Sequence, residues 1–92
     1  MLAVLEPSPV VALNRAVAVA MRDGPKAGVA LIDAILADGT LADYHLAHAA
    51  RADLCRRMGD SAEARSSYQR ALALARQEPE RQFLKRRIDE LS

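Results

Sequence analysis

The chain has no tryptophan, one phenylalanine, two tyrosines and a single cysteine. One cysteine excludes an internal disulfide framework and suits a reducing cytosol, so a cytoplasmic protein is expected. β-Branched runs long enough for strands are missing, which leaves little from which to build a sheet. No apolar stretch is long enough to span a bilayer, and the apolar opening, Met1 to Leu5, is too short for a signal-peptide core. Net charge is scarce too. Thirteen Lys and Arg face twelve Asp and Glu, and a formal charge of +1 argues against a strong, delocalised attraction to nucleic acid or membrane. No glycine-rich phosphate cradle appears, and neither histidine has an obvious serine or cysteine to activate. The sequence therefore gives no reason to expect an enzyme or a cofactor.

What is present is alanine and leucine. They supply most of a 51% hydrophobic content over 92 residues, enough for one small domain of helices packed closely through small side chains. The chain also echoes itself at a spacing of 36 residues. Arg15 falls over Arg51, Ala16 over Ala52, Val19 over Cys55, Gly28 over Ala64, Ile32 over Tyr68, Ile35 over Ala71 and Leu36 over Leu72. Small and apolar residues recurring at that period mark a stacked helical-hairpin repeat. Such a repeat cannot bury its apolar face alone, and its exposed faces commonly bind other proteins.

The helices follow from the punctuation. Met1 to Pro7 reads as the tail of a preceding helix, stopped by proline. Ser8 is placed to cap a first helix over 9–23, with Val10, Leu13, Val17 and Ala20 on one stripe. Asp23-Gly24-Pro25 turns into a second helix that ends at Gly39 and completes a hairpin over 9–38. Thr40-Leu41-Ala42-Asp43 reads as a variant capping box opening a third helix from Leu41 to Met58. Asp60-Ser61-Ala62-Glu63 is a second capping box. It starts a fourth helix whose inner face carries Ala64, Tyr68, Ala71, Leu72 and Ala75, closing a hairpin over 41–76. Glu78-Pro79-Glu80 then opens a fifth helix, 79–91, with Leu84, Ile88 and Leu91 on one stripe and Phe83 beside it. The expected fold is all-α, an antiparallel array of about five helices.

Two resemblances sharpen this reading. Gly59, Ala64, Tyr68 and Ala71 resemble the turn glycine, small residue, aromatic and small residue of a tetratricopeptide repeat. That family implies a right-handed array, with Ala16, Gly28, Ala52, Gly59, Ala64, Tyr68 and Ala71 as its packing positions. His48 and Arg51 depart from the aromatic and leucine of the consensus, and Arg76 stands where a closing proline is expected.

The longer strings are more specific. They include Ser8-Pro9-Val10-Val11-Ala12-Leu13-Asn14-Arg15-Ala16-Val17-Ala18-Val19-Ala20, then Asp23-Gly24-Pro25 and Gly28. Tyr44-His45-Leu46 follows, with His48-Ala49-Ala50-Arg51-Ala52-Asp53-Leu54 and Arg56-Arg57-Met58-Gly59. With Glu63-Ala64, Tyr68, Arg70-Ala71-Leu72 and Glu80-Arg81, these resemble the C-terminal tetratricopeptide-like domain of a subgroup of extracytoplasmic-function RNA polymerase sigma factors. The resemblance runs from about Leu5 to Leu91. It implies a regulatory domain whose partners are proteins: the sigma factor's own N-terminal domains, core RNA polymerase or a regulator. The promoter-reading regions of such factors lie outside these residues. The start at Met1, inside what should be a closing helix, points to an excised domain, whose open end could pair two copies as a homodimer. The competing reading is a free-standing scaffold that holds a peptide or protein unrelated to transcription.

Candidate sites are few. His45, His48 and Cys55 share roughly one helix face. A metal site needs three or four converging ligands, so packing inside the hairpin is the expectation for this loose trio. Cys55 falls where the repeat places an inward side chain, which makes it a buried, inert thiol. Arg15 and Arg51 replace an apolar residue at the same repeat position. Their expected role is structural, with the stem packed and the head paired to a carboxylate such as Asp33, Asp53 or Glu63. The alternative is a polar recess for a partner's carboxylate or backbone, a network that Asn14 and His48 could share. Arg56-Arg57, Arg65, Arg70, Arg81 and Lys85-Arg86-Arg87 are interleaved with Glu63, Glu78, Glu80, Asp89 and Glu90, without aromatics to stack bases. They read as solvated faces, and direct nucleic-acid contact is not expected.

Overall fold

A computed structural model of the chain describes residues 9–39 and 41–91. Among these, five helices follow one another: α1 (Pro9–Asp23), α2 (Pro25–Ala37), α3 (His45–Arg57), α4 (Ser61–Leu74) and α5 (Glu78–Glu90). No strand occurs among the described residues. α1 packs on α2 and α3 on α4 as two hairpins, α2 joins them by packing on α3, and α5 closes on α4. The fold is an all-α helical array. The expected helix tail at Met1 to Pro7, the Ser8 cap and the Thr40 cap lie outside the described residues.

Small residues set how closely the helices approach. Ala16, Ala47, Ala52, Ala64 and Ala71 are almost fully buried, and Ile32 and Tyr68, 36 residues apart, fill the same place in the two hairpins. Gly28 is the tightest point. A Cβ there would lie 2.5 Å from Ala20 Cβ, 2.9 Å from Leu54 Cδ1 and 3.0 Å from the Ala16 carbonyl oxygen. At Gly39 and Gly59 the requirement is conformational instead: φ of 83° and 81° ends α2 and α3 in the left-handed region.

The structure corrects four local expectations. α3 begins at His45, not Leu41. Residues 41–43 form tight turns closed by Ala42 N–H on Gly39 O and Tyr44 N–H on Leu41 O, while Leu41 is buried. Tyr44, with φ −97° and ψ 110°, is the extended residue before the helix. At α4, Asp60 accepts from Glu63 N–H, but the Glu63 carboxylate does not complete the box. It turns to Arg51, and Asp60 N–H bonds to Cys55 O. In α1 the buried stripe is Leu13, Ala16 and Ala20, whereas Val10 and Val17 are 40% and 36% exposed. The fifth helix starts at Glu78. Arg81 docks it by donating to the Leu72 and Ala75 carbonyls at the end of α4, groups that a helix terminus leaves unpaired.

Candidate functional site

Two features stand out: a polar node around Arg51 and an apolar groove between α3 and α5. Arg51 projects from the middle of α3 with its side chain 17% exposed. Its Nε donates to Asp33 Oδ1 of α2 at 2.6 Å. The two terminal nitrogens donate to Ser67 Oγ and Glu63 Oε1 of α4 at 2.7 and 3.0 Å. The hydrogen bond to Asp33, followed by that to Glu63, holds the guanidinium above its ordinary pKa against the opposing effect of burial. This geometry engages all three nitrogens of the planar fork within the protein. Arg51 thus ties three helices together.

Arg15 does not repeat the arrangement. It is exposed and pairs with none of the described residues. The reason lies 36 residues before the Arg51 partners, where Glu63 and Ser67 correspond to Ala27 and Leu31. Asn14 is exposed beside Arg15 and likewise makes no hydrogen bond to a described residue. The network expected to join Asn14, Arg15, Arg51 and His48 is therefore not assembled. His48 serves a separate end, donating from Nε2 to the Ala42 carbonyl at 2.8 Å and so pinning the turn before α3.

Cys55 is 1% exposed, and burial pushes its thiol above the ordinary value, with Arg51 opposing the shift. A raised thiol pKa and no access make a poor nucleophile. Among the described residues no three His, Cys, Asp or Glu side chains are grouped to hold a metal ion. Arg56 is held above its ordinary pKa by Asp53, 2.6 Å away, and then by the buried Tyr68 hydroxyl. Arg57 also pairs with Asp53 and Arg87 with Glu90, so three of the basic residues are tied up in ion pairs on their own helices.

The groove was not visible in the sequence, because its walls are more than thirty residues apart. α3 contributes His45, Leu46 and Ala49, and α5 contributes Pro79, Glu80, Phe83 and Leu84, around a space of about 280 Å³. Leu46 and Phe83 stand 44% and 47% exposed, while Leu84 is buried beneath them. Across one end His45 Nε2 donates to Glu80 Oε2 at 2.8 Å and bridges the two helices. Tyr44 meets the His45 ring edge-on, 5.8 Å between centroids. On the far side of Phe83 the Arg87 guanidinium sits 5.1 Å from the ring centre. His45 and Glu80 thus satisfy each other at the rim, and the space between is apolar. A concave, partly exposed apolar surface of this kind suits one or two bulky apolar side chains of a partner. The one signal available to sequence reading was the pair Phe83-Leu84, of which only Leu84 could face α4.

Comparison with known proteins adds one relationship. The chain is 40% identical over 88 residues to an uncharacterized protein of Rhizobium meliloti, an alignment covering 96% of this chain and 20% of that protein. The chain thus spans about a fifth of the length of the curated relative that it matches. No protein-family profile matches the chain. No solved structure matches it. No described helix is long and apolar enough to cross a membrane.

Proposed function

We propose that this chain is a protein-docking module of a longer protein, and that it takes an apolar segment of its partner into the groove between α3 and α5. The observation that carries this reading is the pairing of Leu46 and Phe83, two large apolar side chains held nearly half exposed on either side of one hollow. An amphipathic helix laid into such a groove would bury both walls and leave the His45–Glu80 bridge at its end in place. The wider setting we propose is an extracytoplasmic-function sigma factor. The partner would then be that factor's promoter-binding domains, core polymerase or a regulator. The support is the set of strings around Asn14-Arg15-Ala16 and His48-Ala49-Ala50-Arg51, which lie on α1 and α3. The mechanism is steric and allosteric: occupancy of the groove biases which surfaces of the sigma domains are free.

The test is an immunoprecipitation from the native host with antibody raised to this segment. A protein much heavier than the 10.0 kDa of this chain, bringing down core polymerase subunits, supports the sigma-factor reading. A 10 kDa protein without polymerase replaces it with a free-standing scaffold, whose client is the co-purifying species. Within the same experiment, Phe83→Asp should abolish recovery of the partner. Undiminished recovery would move the docking surface away from the groove.

A further inference from the structure

Three arginines project from α3, and Arg57 is the most open of them, its side chain 50% exposed against 17% for Arg51 and 34% for Arg56. Its ion pair uses only one nitrogen: Nε lies 3.1 Å from Asp53 Oδ2, which fixes the plane of the guanidinium. Nη1 donates to the Met21 thioether of α1 at 3.8 Å, and Nη2 has no partner among the described residues. A thioether sulfur is a weak acceptor, so the edge formed by Nη1 and Nη2 is held in position and almost unspent. Charge points the same way. One carboxylate, Asp53, serves two guanidiniums, Arg56 and Arg57, and leaves a net positive charge there.

That edge belongs to the same open face as the groove. Leu46, Ala50, Asp53 and Arg57 stand at helical spacing on one row of α3. The internal repeat places Val10, Asn14, Val17 and Met21 on the matching row of α1, and the contact from Arg57 to Met21 sets the two rows side by side. Both rows stay open, with Leu46 44% and Met21 72% exposed. The α3 row starts at Leu46, in the wall of the groove, and reaches Arg57 about 16 Å further along the helix.

We propose that Arg57 receives a carboxylate side chain of the helix that docks between α3 and α5. The inference rests on the groove reading and adds the chemistry of the occupant. That occupant is an amphipathic helix with a bulky apolar anchor between Leu46 and Phe83. On the same face, about eleven residues away, it carries an Asp or Glu. Nη1 leaves the Met21 sulfur and, with Nη2, donates to the two carboxylate oxygens, while Nε stays on Asp53. The Met21 side chain then borders the new pair, and the covering helix keeps water from it, which strengthens it. Leu46 and Phe83 thus hold the partner, and Arg57 selects for its charge. The inference does not depend on the sigma-factor reading.

Two synthetic peptides, stapled to hold them helical, test it by fluorescence anisotropy against this chain, with helical circular dichroism confirming that each variant is folded. Both carry Leu and Phe anchors near one end. About eleven residues further on, one has Glu and the other Gln. The Glu peptide should bind about tenfold more tightly, as suits a charge-assisted bidentate pair. Arg57→Gln should bring the Glu peptide to the affinity of the Gln peptide and leave the latter unchanged. Arg57→Lys, which keeps the charge and loses the two-nitrogen edge, should retain no more than about a threefold preference. A full preference in the lysine variant would overturn the bidentate contact. A preference for Glu that survives Arg57→Gln would overturn the proposal by placing the carboxylate elsewhere. Equal affinities in the unaltered chain would overturn it too, and loss of both peptides in Phe83→Asp would then show the groove reading still standing. Binding of neither peptide would overturn the groove reading and this inference together.

Discussion

Gly28 and Ala64 occupy the same position in two hairpins that are held together differently. In the first, there is no room for a methyl group, and α1 meets α2 through Leu13, Ala16, Ala20 and Ile32 without a polar contact between the helices in their buried seam. In the second, the Ala64 methyl fits and is fully buried, Tyr68 takes the place of Ile32, and Arg51 reaches across to Glu63 and Ser67. Backbone repetition therefore fixes the direction in which a side chain points, while its neighbours decide what it does there. Arg15 and Arg51 show this most plainly: one arginine is a tie among three helices and the other is exposed, because their surroundings do not repeat.

The contrast can be broken at several points. The largest effect is expected at Tyr68, 1% exposed, where Tyr68→Ala should cost about 4 kcal/mol in urea unfolding through the cavity it leaves. Ile32→Ala removes less volume and should cost about 3 kcal/mol. Adding a methyl probes the crossings directly. Gly28→Ala must push α1 from α2 and should cost about 3 kcal/mol, against about 1 kcal/mol for Ala64→Gly, which only loses a methyl and adds backbone entropy. Similar values for the two would mean that the hairpins cross at one spacing after all.

Arg51→Met separates the polar tie from its stem. Asp33 and Glu63 are about half exposed and can rehydrate, so the loss should be about 2 kcal/mol, short of the cost of orphaning a fully buried charge. Arg15→Met should stay within about 0.5 kcal/mol in the isolated chain. The smallest effect concerns Cys55. Burial raises its thiol pKa above 9.0, so the unfolded chain releases that proton at lower pH than the folded one. Stability should be insensitive to this group below the ordinary thiol range and should decline as pH climbs past it toward the folded value. Cys55→Ala should flatten the decline measured by unfolding between pH 8 and 10, and an unchanged slope would assign the dependence to another group.

The helices were legible because their signals are local. Alanine-rich periodicity, Gly39, Gly59 and the Asp60 cap each act within a turn or two of the residues that they define. The start of α3 was not, since Leu41-Ala42-Asp43 satisfies every local rule for a helix. The structure breaks that pattern through contacts made elsewhere, namely the burial of Leu41 and the bond from His48 to the Ala42 carbonyl. Of the three carboxylates that charge alone offered to Arg51, Asp33 and Glu63 are its partners, while Asp53 pairs with Arg56 and Arg57. That Arg15 lacks such partners required a look at Ala27 and Leu31, which no arginine motif brings to notice. The groove was least visible of all, because it depends on how far α5 stands from α3. Arg81, reaching back to the end of α4, and the His45–Glu80 bridge set that distance, and neither role is visible in a stretch of charged sequence.

The bond from Arg51 to Asp33 differs in kind from the packing around it, because it crosses the joint between two hairpins. A stack of hairpins behaves as a coiled spring, with its pitch set by the angle at each joint and its wire made of the hairpins themselves. A tie between charges that still touch water weakens as ions screen it, whereas an alanine seam does not. Added salt would then soften the spring without uncoiling the wire, and the hand of tension on this molecule would be felt first at a single arginine.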